Sequence, residues 1–577
     1  MKAELKDSRR LTGANLYWDH PSAIIDAAVE GSPEALIESW RSAARELLDA
    51  VGYSGQQTCH RVYDGGVSLL ISGPIDVLYS MCELNEVAWA AALHACGLGD
   101  APDPAEEVPR LTRLFDEERN PRLLAVQAAA HARGVPFLWD DDEVSLGHGA
   151  TACIWPPDGL PAVEAVDWEA FAAIPVALVT GTNGKSTTVR MTAAIINASG
   201  RRAGLTSTDF IRVGDRVIDQ GDYSGTGGAR MLLRQPDVEM AVLEVARGGL
   251  LRRGLGVEHA NVAVLTNVAA DHLGEYGINT VEELIPAKFI LRRALRAGDT
   301  LVLNADDEGV ASYAERLGDR LAATIAWFSL DANHPRIRRA LAAGERAAFL
   351  ESDWLMAAED GATRRVTPIS EVPATRNGVV RHNIANALAA LSIAAAFGVG
   401  DGAIAAGLAA FRGDEHDNPG RGNWFEREFE GGVVRILVDF AHNAHGMAAL
   451  AAAVRETPAE RVVLLMGQAG DRLDDDIREL VEAACAMGPD RLLVAELPGY
   501  ERGRAPGEVP ALIRRFAQEA GVPEGAIEHF DGPGSATQSA LQGARPGDLL
   551  VLLALTQRQE ALKLVREFLA EQEPADG

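Results

Sequence analysis

An apolar run, Val176-Ala-Leu-Val-Thr180, passes directly into a turn of small residues, Gly181-Thr-Asn-Gly-Lys-Ser186, and then into a helix-compatible stretch. A strand, a glycine-containing turn, Lys-Ser and a helix in that order form a phosphate cradle. Backbone N–H groups of Gly181 to Ser186 can point into the turn, the helix presents its positive end, Lys185 adds a point charge and the Ser186 hydroxyl can hold Mg²⁺. The usual spacing has glycine six residues before the lysine; here Val179 stands there and the glycine is Gly181. The chain is expected to bind a nucleoside triphosphate on an α/β sheet.

The 577 residues exceed what one hydrophobic core serves, and at about 150 residues per domain they suggest three or four domains. A net charge of −29 leaves no broad basic surface for a nucleic-acid backbone or an anionic membrane. Neither is an expected partner. Cys59, Cys82, Cys96, Cys153 and Cys485 are odd in number and lack Cys-x-x-Cys spacing, which argues against a disulfide framework and a zinc site. With no apolar signal core at the N-terminus and no run of about 18 apolar residues, a cytoplasmic protein is expected.

From Val176 onward, β-rich runs alternate with amphipathic ones, the pattern of parallel α/β sheets. Strands are expected at 176–180, 240–245, 262–267 and 300–304, and ligands of open α/β sheets gather at the carboxyl ends of strands. After Gly420 the alternation restarts at 433–440, 461–466, 491–496, 526–530 and 548–555, with helices at 474–487 and 507–520, and no G-x-G-x-x-G follows these strands. In the first 165 residues, helices are expected at 32–51 and 84–96 and a strand at 67–72. The run Trp155-Pro-Pro-Asp-Gly-Leu-Pro161 reads as a linker. Asp140-Asp-Asp-Glu143 reads as a solvated charge run rather than a metal site, because four consecutive acids in an extended chain cannot converge on one ion.

A triphosphate site needs a divalent metal on oxygen ligands. Glu244 ends an apolar strand, where its burial is costly unless the charge is paired or metal-bound, and Asp271-His272 follows the end of another. Each alone reads as a structural hydrogen-bonder; both in the sheet that carries the phosphate loop point to metal.

In order, GTNGKSTT, LEVARGGLLRRGL, TNVAADHLG, Pro286-Ala-Lys-Phe289, LNADD, RHNIANALAA, PGRGNWFE and VDFAHNAHG resemble the Mur ligase family of ATP-dependent amide ligases. ARGGLLRRGL, GDRLDDDI and RGRAPGEVP resemble the Mur-like half of cyanophycin synthetases in particular. This resemblance covers Val176 to the C-terminus. It implies an N-terminal α/β domain (1–165), a central P-loop ATPase domain (166–415) and a C-terminal Rossmann-like domain (416–577). It also implies ATP, two Mg²⁺ ions and a ligase that joins an acyl-phosphate-activated carboxylate to an amine of an amino acid or peptide.

Carried over, Gly181, Thr182, Asn183, Gly184, Lys185, Ser186 and Thr187 hold the phosphates, and Ser186 and Glu244 the first Mg²⁺. His272 and a carbamylated Lys288 hold the second. Asn383 faces adenine, Arg421 reaches the phosphates, and Asp439 and His442 close over ribose and phosphate. A free Lys288 ammonium would repel Mg²⁺, whereas a carbamate is an oxygen donor; without carbamylation Lys288 reads as a surface helix lysine. The N-terminal runs RRLTGANLYWDHPS, VYDGGVSLLISGPID and ARGVPFLWDDDEVSLGHGA are similar to the opening domain of cyanophycin synthetases. The ATP-grasp domain expected after them has no room in the roughly 25 residues before the phosphate-loop strand, since domains rarely fall below about 50 residues. A separate ATP-grasp ligase is therefore one partner to expect, a homo-oligomer another. A degenerate ATP-binding subunit of the same fold is the alternative.

Overall fold

The computed structural model describes residues 2–570. An antiparallel sheet opens the chain, with strands in the order Lys2–Leu11, Ser22–Glu30, Gly66–Ser72 and Thr58–Tyr63. Alternation divides its central strand: Ala23, Ile25 and Ala27 face helices Glu34–Ala50 and Leu78–Ala95, while Ile24 packs with Leu11 and Leu70 on the other side. Trp40, a fully buried residue of the first of these helices, donates its indole N–H to Asn85 Oδ1 of the second at 2.8 Å.

The central sheet has eleven strands. Its parallel middle runs Ala203–Thr206, Met240–Glu244, Val176–Thr180, Val262–Leu265, Thr300–Asn304, Thr324–Ser329 and Ala347–Glu351, with antiparallel strands at both edges. Val176 and Leu178 enter one core and Ala177 and Val179 the other, so the strand is apolar on both faces, as a parallel sheet covered by helices requires. The phosphate-loop strand lies between the strands ending in Glu244 and Leu265, which brings three carboxyl ends to one place. The C-terminal domain carries a six-stranded sheet in which Gly432–Asp439, Asp548–Leu553, Arg461–Met466, Arg491–Ala495 and Ile527–Phe530 run parallel and Asn423–Phe429 is antiparallel. Among the described residues, no helix is long and apolar enough to cross a membrane.

Two expectations change. The Trp155–Pro161 run is not a free linker: Asn120 Nδ2 donates to Pro157 O at 3.1 Å, Arg122 to Leu160 O at 3.0 Å, and Leu160 is buried with Trp155 against helix Pro121–Arg133. Its apolar side chains find a surface to cover, which its proline content does not reveal. The acidic run stays exposed at Asp141, Asp142 and Glu143, as expected, but three of its four charges are paired. Asp141 makes a two-pronged pair with Arg10 inside the N-terminal domain, whereas Asp140 and Glu143 share Arg234 at 2.9 and 2.6 Å and fasten that domain to the central one. Between Leu146 and Val176 the chain forms only one short strand and 3₁₀ turns.

Candidate active site

A cavity of about 1640 Å³ lies between the central and C-terminal domains. The phosphate loop forms its floor. Gly181 is required by close approach, since a Cβ there would come within 1.9 Å of Thr266 Oγ1; at Gly184 (φ +86°) it would meet Asn386 Oδ1 at 2.3 Å. The expectation that all loop N–H groups face the turn is corrected: Thr182 N donates to Asn267 O at 2.8 Å and Asn183 N to Asn267 Oδ1 at 2.9 Å. Their bonds hold the loop against the neighbouring strand and leave the first N–H groups of helix Lys185–Ala198, which lack intrahelical partners, for the cavity. Thr182, Asn183, Ser186 and Thr187 line the cavity, and Lys185 Nζ donates to Thr182 O at 3.0 Å.

Glu244 is buried, 2% exposed, and its Oε1 has no hydrogen-bond partner among the described residues. Its Oε2 accepts only a long bond, 3.4 Å, from Thr208 N, and Ser186 Oγ lies 3.4 Å from Thr208 Oγ1. A buried carboxylate oxygen without a donor is costly unless a cation meets it, so the donor set of Glu244 and Ser186 fits a hard divalent ion.

Asp271, His272 and His442 bring their ligand atoms within 4.8 Å of one another. Burial pushes the Asp271 carboxyl upward, but the His442 hydrogen bond and the charges of His442, His272 and Arg472 outweigh it and hold Asp271 well below the usual carboxylate range. Arg472 Nη1 lies 3.0 Å from Asp271 Oδ1. Burial lowers the His272 pKa, with Asp271 opposing and Arg472 and Arg247 adding to the lowering, a shift towards the neutral imidazole that ligates a metal.

Lys288 is not a surface lysine. It is 4% exposed, Nζ donates to Gly181 O at 2.9 Å, and burial together with Lys185 lowers its pKa far below the ordinary value. The turn of helix Val281–Lys288, set by a Thr280–Glu283 capping box, aims it under the phosphate loop. Asn383 lines the cavity, although its amide is engaged within the fold: Nδ2 donates to Ala374 O at 2.9 Å and Oδ1 accepts from Asn386 at 3.1 Å.

From the C-terminal domain, Asp439 accepts from Ala441 N at 2.7 Å; burial raises its pKa, opposed by that bond and by Arg421. His442 Nδ1 pairs with Phe440 O at 2.9 Å, which leaves Nε2 directed towards Asp271 Oδ2 at 3.8 Å. Arg421 donates to Thr208 Oγ1 at 2.9 Å.

Residues 179–394 match the Mur ligase middle domain and residues 420–554 the Mur ligase glutamate ligase domain. The chain belongs to the Mur ligase family. It is 35% identical over 445 residues to a cyanophycin synthetase of Trichormus variabilis, covering 75% of this chain and 48% of that protein. The chain thus spans about half the length of the cyanophycin synthetases it matches. A UDP-N-acetylmuramoylalanine–D-glutamate ligase of Chlorobium phaeobacteroides is 30% identical over 341 residues, 58% of this chain and 66% of that one. In fold, the chain is similar to Escherichia coli FolC in complex with DHPP and ADP, with a TM-score of 0.51 and 21% identity over 68% of this chain and 89% of that one.

This Mur ligase also places in its cavity residues that motif reading passed over. Asp209, just past strand Ala203–Thr206, accepts from Arg190 and from Arg558 at 2.5 Å and faces Arg421 at 3.6 Å. Burial opposes its charge, but these three guanidinium groups win and bring its pKa down to about 2. Its place after a strand was the only signal for it. Arg558 sits at the start of a late helix and carried none. Arg247 pairs with Glu275 and donates to His272 O, which ties two of the recognised motifs together.

Proposed function

We propose that this Mur ligase is an ATP- and Mg²⁺-dependent ligase that forms an amide between a carboxylate and the amine of an amino acid or peptide. One observation carries the reading. The phosphate loop, the unpartnered Glu244 oxygen, the Asp271–His272–His442 cluster and the buried Lys288 open into one cavity between two domains. A degenerate subunit would share this cavity and bind nucleotide, so substrate-dependent ADP release is what separates the two readings.

A carboxylate oxygen attacks the γ-phosphorus and ADP leaves; the amine nitrogen then attacks the acyl phosphate carbon, phosphate departs and the amine gives up a proton. Lys185 and the helix N-terminus neutralise the phosphates, and Arg421 approaches them from the other wall. Ser186 and Glu244 would hold one Mg²⁺; His272 and Lys288, as a carbamate formed from its neutral amine and CO₂ with loss of a proton, would hold a second. Bound Mg²⁺ offsets charge developing between the β- and γ-phosphates. Asn383, Asp439 and His442 would enclose the nucleoside, with closure at Gly420–Gly422 bringing the last two into place. Positioning supplies most of the acceleration.

The segment between Leu146 and Val176 holds one short strand and 3₁₀ turns and no second nucleotide-binding module, so a separate ATP-grasp protein is the partner to test. Phosphate release should be measured with single amino acids and short β-linked dipeptides, with and without such a protein. Substrate-dependent ADP formation by the chain alone supports the ligase reading; nucleotide binding that no amine or carboxylate ever converts into ADP release would sink it.

A further inference from the structure

The N-terminal domain does not reach the cavity, yet it grips the backbone of both central-domain segments that supply its metal-facing wall. Arg61 Nη2, on the Thr58–Tyr63 strand, donates to Tyr276 O at 3.0 Å and to Gly277 O at 2.6 Å. Asn279 Nδ2 donates to Asp64 O at 3.2 Å. Gly277 (φ +65°) lies so close that a Cβ would stand 2.5 Å from the Tyr63 ring. Arg9, buried and paired with Asp26 at 2.6 Å, donates to Leu251 O at 3.0 Å and stacks over the Tyr276 ring at 4.7 Å. Leu251 lies on helix Arg247–Arg253, whose Arg247 donates to His272 O.

The gripped loop needs such support. His272 and Tyr276 both adopt left-handed backbone angles, φ 51° and 54°, which non-glycine residues rarely hold without being over-determined by their surroundings. Gly274 N to Ile278 O (2.8 Å) and Ile278 N to Glu275 O (3.1 Å) close the loop on itself, so fixing Tyr276 and Gly277 fixes the direction of His272.

The geometry points to Arg61 as a positioning residue: the N-terminal domain serves the ligase site by clamping the 271–280 loop, holding His272 in its metal-facing conformation from behind. This rests on the ligase reading only for the identity of the metal–nucleotide. The clamp can be tested from both sides in the full chain, with Arg61→Ala removing the donors, Gly277→Ala pushing the loop off Tyr63, and Arg61→Lys restoring one donor.

Two readouts are needed: Mn²⁺ titration in the presence of ADP, and amide hydrogen exchange. Loss of a group that orients a metal ligand costs about 10–100-fold in metal affinity. Both disruptive variants should therefore need at least about tenfold more Mn²⁺, with Arg61→Lys intermediate. Exchange should quicken in 271–280 while 181–190 stays protected as in the wild type. Folded variants with unchanged Mn²⁺ titration and unchanged loop exchange overturn the clamp, as does exchange that quickens uniformly across the N-terminal domain. A wild-type chain that fails to bind Mn²⁺–ADP would instead overturn the ligase reading, and the exchange comparison would still judge the clamp.

Discussion

The central domain is held from two sides by opposite means. Towards the N-terminal domain, arginine side chains grip main-chain carbonyls, Arg9 on Leu251 and Arg61 on Tyr276 and Gly277, and Arg234, paired with Asp140 and Glu143, sits outside the cavity. Towards the C-terminal domain, side chains meet side chains across the cavity: Arg421 and Arg558 on Asp209, Arg472 on Asp271, and Asn183 on Asn443 at 3.0 Å. Carbonyls fixed in a fold give a rigid, weakly salt-dependent contact. Arginines paired across the cavity can instead exchange a carboxylate for an anionic ligand that enters it. The first seam is the one proposed to build the site, and the second the one proposed to open it. Gly420 lies beside that second seam, where a Cβ would strike Arg558 Cδ of the same domain at 2.0 Å.

The largest loss should come from variants that touch neither seam. Lys185→Ala is expected to lower turnover by about 10²–10³ with the fold intact, because a charge at the phosphates is lost while little core packing is. ADP production at the wild-type rate by folded protein would remove the phosphate-loop assignment. Lys288→Ala should approach the same loss, with partial recovery in excess acetate or formate. Lys288→Glu should keep some activity only if an oxygen ligand is the role; a Lys288→Ala variant of wild-type activity would dismiss the carbamate.

An intermediate effect is expected at the second seam. Asp209→Asn leaves three guanidinium groups facing one another, so the closed arrangement weakens and the KM for ATP should rise about tenfold, with a salt dependence that Arg61→Ala lacks. Equal salt dependence in the two variants would erase the distinction between the seams. The smallest effect on turnover, visible instead in stability, concerns His148 beside the fixed seam. Its burial, with a further push from His259, brings its pKa down to about 4. Below about pH 6.5 the unfolded chain then binds the extra proton, so this contribution is complete above that pH and is lost as pH falls towards 4, up to about 3 kcal/mol in all. Thermal unfolding from about pH 7 to about pH 5 should be flatter in His148→Gln than in the wild type; parallel curves would show that another group governs the slope.

Local chemistry made much of this molecule legible in one dimension. Strands 176–180, 300–304 and 461–466 fall where their apolar runs place them, because a parallel strand covered on both faces must be apolar throughout. Phosphate-loop geometry follows from Gly181, Gly184 and the helix behind them, and Glu244 was readable as a charge at the end of a buried strand. The 84–96 helix begins earlier, at Leu78, and its first turn is held by Glu118 accepting from Tyr79 N and Ser80 N, a cap from 38 residues away or more that no local pattern encodes.

Tertiary structure alone decided what those readable parts do together. His272 was visible as a residue, but its left-handed backbone and its meeting with His442 and Arg472 depend on chain segments about 170 and 200 positions distant. Asp209 acquires its role only when Arg190, Arg421 and Arg558 converge on it, and Arg61 only when its strand docks behind the loop at 276–277. Propensity and periodicity act over a turn or a strand, whereas these contacts are set by how the sheets of the three domains pack. A charge in sequence therefore announces that it must be paired, and only the fold chooses the partner.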